Sequence, residues 1–253
     1  MYAHIFKTSE ASRKAWLTRA RGGKSSSASE WAKVGSQKGS NPGGVYERDG
    51  VRHYVKFPRP GQSLTEEISD RVHEALGAKT MNHEMQMIGD KEASVSVMNS
   101  SMEILGRDGW RNLDARQRDQ AAKIVVASML TKNWDVVGLT YDNVAKDSKG
   151  DLHIVDTGGS FKFRAQGEPK PFDGSVETEI ARMTDYKQYG GEAASVIEPL
   201  LKKHPEAFSN AAKALSKMTK ADFEKLAGDF NDPSVVQGLL DRQKKLVKHF
   251  GGG

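Results

Sequence analysis

The chain has 253 residues, of which 37% are hydrophobic and 28% are charged, a composition that suits a soluble globular protein with one large domain or two lobes. It contains no cysteine, so disulfides, thiolate metal sites and cysteine nucleophiles are excluded. No apolar run approaches the length that spans a bilayer, and the first residues lack the apolar segment of a secretory signal, so we expect a cytoplasmic protein without a membrane partner.

The net charge of +5 is concentrated at the start of the chain. Residues 1–58 carry 11 lysines and arginines against 4 acidic residues, whereas the remainder is nearly balanced. Residues 1–38 are predicted to be a basic flexible leader with a short helix after Ser9, which Trp16 and Trp31 pin to the domain. A solvated basic arm is the simpler interpretation of the charge, and phosphate or nucleic-acid binding is the alternative.

Residues 39–100 are predicted to form a small β-rich lobe that contains one helix. Two β-rich runs flank the turn signal Asp49-Gly50, which predicts a hairpin over residues 43–58. Alternation along its second strand places Lys56 on the face opposite the valines. Two further strand candidates, HEMQMIG and EASVSVMN, stand at the end of this lobe.

The helix of this lobe is predicted in SLTEEISDRVHEALGA. Its apolar residues recur at helical spacing, and either Ser63 or Thr65 is expected to cap it. Glu66 and Glu67 would then lie in the first turn, where a carboxylate complements the helix dipole. Gly77 is the expected end of the helix.

Residues 101–253 are predicted to form a mostly helical second lobe. The segment LDARQRDQAAKIVVASMLTKNW is typical of a long helix, and DLHIVDT is typical of a short strand. From Glu177 onward the apolar spacing is helical, with a break at Asp232-Pro233. The order of elements therefore predicts a two-lobed α+β fold.

Several polar residues of the first lobe suit the binding of phosphate groups. Lys56 lies on a strand, and the next helix offers Glu66 or Glu67 as a carboxylate partner that would fix its ammonium group. Gly43 and Gly44 begin the hairpin, where residues without side chains let backbone N–H groups approach phosphate oxygens. Taken alone, Lys56 would be explained as an ordinary surface lysine, and the glycine pair as a plain junction between a linker and a strand.

Three polar residues of the second lobe suit a metal and an acceptor. Asp135 follows the long helix, Asn143 comes after seven intervening residues, and Asp156 ends a strand before Thr-Gly-Gly. Phosphoryl transfer needs one carboxylate that orients the acceptor hydroxyl, and an amide and a second carboxylate that hold Mg²⁺. Turns and helix ends would account for each residue singly, but their order after Lys56 and Glu66 favours a common site.

The sequence resembles a small atypical kinase domain, of the kind shared by HipA-like toxins and phosphatidylinositol 3/4-kinases. It most resembles the kinase-like domains of tailed-phage virion and morphogenesis proteins. The resemblance covers residues 39–170 and is carried by NPGGVY, HYVKF, TEEISDRVHEALG, NWDVVGLTYDN and IVDTGGSFKFRAQGEPK. It implies a protein-kinase-like fold and an ATP- and Mg²⁺-dependent Ser/Thr protein kinase that acts on a host or virion protein, in the host cytoplasm or on the virion.

The resemblance also implies roles for residues of the first lobe. Lys56 would contact the α- and β-phosphates of ATP, and Glu66 would pair with it, with Glu67 as the rival. Gly43 and Gly44 would cover the phosphates. Residues 94–99 would be the strand that leads to the adenine-binding hinge, with Met98 and Asn99 near the base.

In the second lobe, Asp135 would be the catalytic base, and Asn143 and Asp156 would hold Mg²⁺. The sequence departs from ordinary protein kinases here, because no H-R-D triplet precedes the catalytic position and DTGG replaces D-F-G. Seven residues separate Asp135 from Asn143 where those kinases have four. Asp142 is therefore a rival for the base. Loss of turnover, transfer of AMP, and phosphorylation of lipids or small molecules are the alternative functions.

Overall fold

A six-stranded sheet dominates the first lobe of the structure, a computed structural model that describes residues 25–37 and 41–251. Its strands are β1 (Ser25–Ser26), β2 (Ala32–Gly35), β3 (Gly43–Arg48), β4 (Val51–Lys56), β5 (Glu84–Ile88) and β6 (Lys91–Val97). They lie in the order β1-β5-β6-β4-β3-β2, and β1 alone pairs in parallel. The predicted hairpin and both later strand candidates are confirmed.

The sheet begins before residue 39, where the sequence predicted the lobe to start. β2 pairs with β3 from Ala32 opposite Glu47 onward, so this part of the leader is structured. Trp31 is buried and its ring lies 4.3 Å from the Arg48 guanidinium, which confirms that this tryptophan anchors the leader. The predicted boundary therefore falls inside the sheet, while Trp16 and the helix predicted after Ser9 lie outside the described residues.

Helix α1 (Gln62–Ala75) packs against β5 and β6 and confirms the predicted helix. Its N-cap is Gly61 in the left-handed conformation, so the predicted caps Ser63 and Thr65 were wrong. The carboxylate of Glu92 on β6 accepts hydrogen bonds from the backbone N–H groups of Gly61 and Ser63, at 2.9 and 3.2 Å. A neighbouring strand thus satisfies the first turn of the helix, a contact that local sequence rules do not anticipate.

The earlier start of α1 changes the setting of its two glutamates. Glu66 and Glu67 lie beyond the first turn and are buried. Their carboxylates therefore meet side-chain partners in the protein interior instead of the exposed helix terminus.

The second lobe is mostly helical, as predicted. Its helices are α2 (Gly106–Arg111), α3 (Ala115–Leu130), α4 (Glu177–Thr184), α5 (Tyr186–Tyr189), α6 (Glu192–Lys203), α7 (Pro205–Leu215), α8 (Lys220–Ala227) and α9 (Pro233–Phe250). α3 lies in the core against α1, α7 and α9, and its inner residues Ile124 and Leu130 are fully buried. Asp232 caps α9 at the predicted helix break. The two-lobed α+β fold predicted from the sequence is confirmed.

A small antiparallel sheet of β7 (Glu103–Ile104), β8 (Val144–Lys146) and β9 (Leu152–Ile154) lies in the second lobe. β9 is the predicted short strand, whereas β7 and β8 are too short to give a clear period in the sequence. Val144 pairs with Ile154, and the Val155 backbone N–H donates to the Asn143 carbonyl at 2.8 Å, so Asn143 lies opposite the residue that precedes Asp156. Within the described residues, no helix is long and apolar enough to cross a membrane.

Candidate active site

Lys56 and Glu66 form a buried ion pair between β4 and α1. The Lys56 Nζ atom donates to Glu66 Oε1, and the side chains are 10% and 3% exposed. Ser94 on the adjacent strand β6 donates from Oγ to the other carboxylate oxygen of Glu66 at 2.5 Å. Burial alone would lower the pKa of Lys56, but the negative charges of Asp156 and Glu66 raise it above its usual value. The lysine is therefore a fixed positive charge.

Glu67, the rival partner, turns to a different part of the protein. Its carboxylate pairs with Arg71 one helical turn later and accepts a hydrogen bond from the Met85 backbone N–H at 2.7 Å. Successive helix residues point about 100° apart, so only one of the two glutamates can face Lys56. The structure assigns the ion pair to Glu66.

Asp156 joins the ion pair to the second lobe. Its Oδ1 atom lies 3.7 Å from Lys56 Nζ and accepts from the Gly158 backbone N–H at 2.9 Å. The Asp156 side chain is 45% exposed, so it faces the open cleft although its partner lysine is buried. A carboxylate in this position can bind a further cation.

Asp135 and Asn143 lie on the same side of the cleft as Asp156. The Asn143 side-chain amide donates to the Asp135 backbone carbonyl at 2.5 Å. Asn133 spans the group, because it accepts from the Asp135 backbone N–H at 3.1 Å and its amide lies 3.5 Å from the Asp156 carbonyl. The structure thus brings together four of the residues that the sequence singled out: Lys56, Asp135, Asn143 and Asp156.

The environment of Asp135 perturbs its acidity. Partial burial, together with the negative charge of Asp156, raises the pKa of Asp135 to about 6. Asp142 is more exposed and folds back over Gly138, where a Cβ atom on that glycine would lie 2.2 Å from the Asp142 Oδ1 atom. Gly138 has a φ of +79°, a left-handed conformation that favours glycine, so the chain turns here between Asp135 and Asn143. A perturbed carboxylate in a cleft is typical of functional sites, which favours Asp135 over Asp142.

The residues around Asp156 suit Mg²⁺ bound together with a nucleotide better than a metal held by protein alone. Within residues 25–37 and 41–251, no three or more His, Asp or Glu side chains form a potential metal cage. Mg²⁺ commonly takes one or two protein oxygens and completes its shell with phosphates and water. The Asp156 carboxylate and the Asn143 amide oxygen fit that requirement.

The glycine pair lies beside the ion pair. Gly43 is paired with Lys56, and Gly44 with Val55, across the β3–β4 ladder. A Cβ atom on Gly43 would lie 2.1 Å from the Val55 carbonyl oxygen, so only glycine fits this close approach of two strands. Contact of these glycines with phosphates stays a prediction.

Met98 and Asn99 follow β6, where the chain leaves the sheet for the second lobe. The Met98 backbone N–H donates to the Arg52 carbonyl at 2.9 Å. The Asn99 side chain is exposed and accepts from the Ser101 backbone N–H at 3.0 Å, so it closes the connecting turn. These hydrogen bonds shape the segment that connects the two lobes. Contact of Met98 or Asn99 with adenine stays a prediction.

A buried polar network behind the ion pair was not predicted. His83, just before β5, lies between Glu66 and Asp70 of α1, with ring nitrogens 3.5 and 2.9 Å from their carboxylate oxygens. Thr157 donates to the other oxygen of Asp70 at 2.6 Å. Asp70 could have been suspected, because it follows Glu66 by one helical turn on the same face. His83 gives no such signal, because its role depends on tertiary packing.

Lys170 connects the two loops that carry the cleft residues. Its buried ammonium donates to the carbonyls of Lys132, before Asp135, and Gly159, after Asp156; the second bond is 2.6 Å. Burial, opposed in part by Glu179, lowers the pKa of Lys170 to about 7. This lysine therefore supports the geometry of the site at a cost in stability when it is charged.

Replacing Lys170 with Met should flatten the dependence of stability on pH. An unfolded lysine titrates near 10.4, so between about pH 7 and 10 the unfolded state binds more protons than the folded state, and stability rises with pH. We expect the free energy of unfolding to rise by on the order of 1 kcal/mol per pH unit from this group, and Lys170→Met to remove that rise. Urea unfolding at pH 7, 8 and 9 measures it, with Lys244→Met at an exposed lysine as control. An equal slope in wild type and Lys170→Met would show that the lysine stays charged.

Comparison with known proteins finds similarity in structure only. No protein-family model matches the sequence, and no curated protein sequence matches it significantly. The proinflammatory kinase CtkA of Helicobacter pylori is similar with a TM-score of 0.47 and 12% identity, over 87% of this chain and 99% of that chain.

Two further solved structures are similar over most of this chain. A complex of HipA, HipB and operator DNA from Shewanella oneidensis MR-1 has a TM-score of 0.40 and 12% identity, over 86% of this chain and 67% of that chain. Choline kinase LicA from Streptococcus pneumoniae has a TM-score of 0.37 and 11% identity, over 95% and 98%. At these identities the likeness concerns the two-lobed fold alone, and the chemistry has to be argued from the cleft.

Proposed function

We propose that the chain is an ATP- and Mg²⁺-dependent phosphotransferase, and specifically an atypical Ser/Thr protein kinase. One observation carries the proposal: the buried Lys56–Glu66 ion pair lies 3.7 Å from the Asp156 carboxylate, with Asp135 and Asn143 hydrogen-bonded alongside. Phosphoryl transfer requires a fixed cation, a carboxylate and an amide that bind Mg²⁺, and a second carboxylate near the metal. The site offers a group of each kind.

Each residue of the candidate site has a defined task in this reaction. Lys56, fixed by Glu66, donates hydrogen bonds to phosphate oxygens of ATP and offsets their charge. Asp156 and Asn143 would hold Mg²⁺, which neutralises charge on the phosphates. Asp135 accepts the proton of the acceptor hydroxyl or orients it. Positioning and electrostatic stabilisation supply the rate enhancement, with no covalent intermediate on the protein.

The acceptor would enter beside Asp135. A cavity of about 210 Å³ opens there, lined among others by Trp134, Leu139, Arg182 and Tyr189. Leu139 is 78% exposed and Tyr189 is 43% exposed, so the rim offers apolar surface to an incoming chain. This surface supports a protein acceptor, and a host or virion protein is the acceptor that we propose. Nucleic-acid binding is the weaker proposal, because it rests only on the positive charge of the leader.

The assay that tests the proposal combines isotope transfer with a pair of matched variants. Wild-type protein with Mg²⁺ and γ-labelled ATP should label itself or a general Ser/Thr substrate, and the intact mass of the product distinguishes phosphate from AMP. Asp135→Asn should slow transfer by about 10²–10⁴-fold, the usual contribution of a general base. Asp142→Asn should retain most of the rate, because Asp142 is more exposed than Asp135 and packs against Gly138.

Other outcomes have definite meanings. Loss in Asp142→Asn with retention in Asp135→Asn would assign the base to Asp142. A product mass that shows added AMP would support the nucleotide site but reject phosphoryl transfer. No transfer by wild type, although ATP and Mg²⁺ raise the melting temperature, would indicate a nucleotide-binding protein without turnover.

A further inference from the structure

Helix α1 is fixed to the second lobe through three consecutive residues. Ser69 Oγ lies 2.8 Å from Ser160 Oγ, and Asp70 accepts from Thr157 Oγ1 at 2.6 Å. Arg71 donates to Asp229 at 2.7 Å. The helix that presents Glu66 to Lys56 therefore cannot move relative to the second lobe without losing all of these contacts.

His83 connects this attachment to the ion pair. Its ring lies between the carboxylates of Glu66 and Asp70, and its backbone N–H also donates to Asp70 Oδ2 at 2.8 Å. His83 is 4% exposed, and both carboxylates are 2% exposed. Burial would lower the pKa of His83, but the charges of Glu66 and Asp70 outweigh it and raise that pKa, while Lys56 opposes them. A ring that contacts two buried carboxylates at once, at 3.5 and 2.9 Å, holds both in place.

Thr157 extends the network to the metal side of the cleft. It directly follows Asp156, and its hydroxyl lies 3.2 Å from the Glu66 carbonyl as well as 2.6 Å from Asp70. The hydroxyl is fully buried, so these partners fix the peptide next to the proposed metal-binding carboxylate. One continuous set of buried polar contacts thus joins three parts of the protein: Lys56 of β4, helix α1, and the loop after β9.

We infer that His83, together with Asp70 and Thr157, keeps the Lys56–Glu66 pair assembled before any ligand binds, so that movement of α1 does not switch the site. The inference concerns the regulation of the proposed kinase site and rests on that proposal. His83 acts as a positioning residue, because it touches Glu66 and Asp70 and no reacting group. Helix movement would strip several buried charged groups of their partners, which makes a displaced helix a rare state.

Hydrogen exchange of the α1 amides tests the inference without requiring turnover. In wild type we expect exchange in residues 64–72 to be equally slow with and without ATP and Mg²⁺. His83→Leu should exchange at least about tenfold faster without ligand, and ATP with Mg²⁺ should slow it. The control is His153→Leu, since His153 on β9 bonds to the Thr80 carbonyl and to Asp147 and contacts neither Glu66 nor Asp70. It should lower stability without making α1 exchange ligand-dependent.

Kinetics supply the second readout. Thr157→Val and His83→Leu should each raise the KM for ATP or lower kcat/KM by about 10–100-fold, the usual effect of removing a residue that orients a ligand-binding group. Thr157→Ser keeps the hydroxyl and should stay near wild type. The inference is overturned if ATP with Mg²⁺ slows α1 exchange in wild type, or if His83→Leu changes neither exchange nor kinetics. Absence of transfer by wild type would instead reject the kinase proposal, and the exchange experiment would still decide the role of His83.

Discussion

Asp156→Ala is expected to abolish Mg²⁺-dependent transfer while the protein stays folded. Asp156 is the carboxylate that faces the open cleft, 3.7 Å from Lys56 Nζ and 45% exposed, so its loss removes a proposed metal oxygen without opening a cavity in the core. Loss of one group that stabilises transition-state charge commonly costs 10²–10³-fold, and a group that also binds the metal should cost at least about that much. Transfer from γ-labelled ATP measures the rate, and thermal melting measures the fold.

The effect on ligand binding separates a metal role from a structural role. Wild type should gain stability from ATP only when Mg²⁺ is present, and Asp156→Ala should lose that dependence on Mg²⁺. Asp147→Ala is the matched control, because Asp147 lies at the other end of the β8–β9 hairpin and contacts Lys79 and His153. It should keep both transfer and the response to Mg²⁺. Wild-type rates in Asp156→Ala would reject the proposed metal site.

The sequence predicted the elements that carry strong periodic signals. Alternation and the Asp49-Gly50 turn predicted β3 and β4, and apolar spacing predicted α1 and α3. The start of α1 was misplaced because Glu92, far along the chain, satisfies its first backbone N–H groups. The boundary at residue 39 was misplaced because pairing of β2 with β3 outweighs the linker-like composition of the leader. Both differences arise from tertiary contacts.

The candidate site likewise has residues that local sequence could predict and residues that only tertiary contacts reveal. Lys56, Asp135, Asn143 and Asp156 could be proposed from their order and their positions beside strands and helix ends, and the structure brings them into one cleft. The supporting residues could not, since Thr157 and Asp70 are 87 positions apart in the chain and nothing in the local sequence couples them. His83 has no signal beyond being a histidine before a strand. Reactive groups thus follow from residue type, whereas the contacts that orient them follow from packing.

Lys56→Met is expected to reduce both transfer and stability, in contrast to Asp156→Ala. Glu66 is only 2% exposed, so the substitution leaves a buried carboxylate without its lysine. Ser94 and His83 remain as its polar partners. Breaking a buried ion pair by removing one partner typically lowers the free energy of unfolding by 3–5 kcal/mol, and we expect about 3 kcal/mol because these two partners remain. Urea unfolding measures the change, and transfer from γ-labelled ATP should fall to background because the phosphates lose their fixed cation.

A double-mutant cycle with Glu66→Gln separates the ion pair from simple loss of packing. Once Lys56 is replaced by Met, a neutral amide at position 66 no longer carries an unpaired charge, so Lys56→Met/Glu66→Gln should be more stable than Lys56→Met alone. The double variant should nevertheless remain inactive, because a neutral pair offers no cation to the phosphates. Strictly additive losses would show that Lys56 and Glu66 are not coupled, and recovery of transfer in the double variant would show that Lys56 is not the phosphate-binding group. Restored stability without restored transfer is therefore the combination that assigns Lys56 to the reaction as well as to the fold.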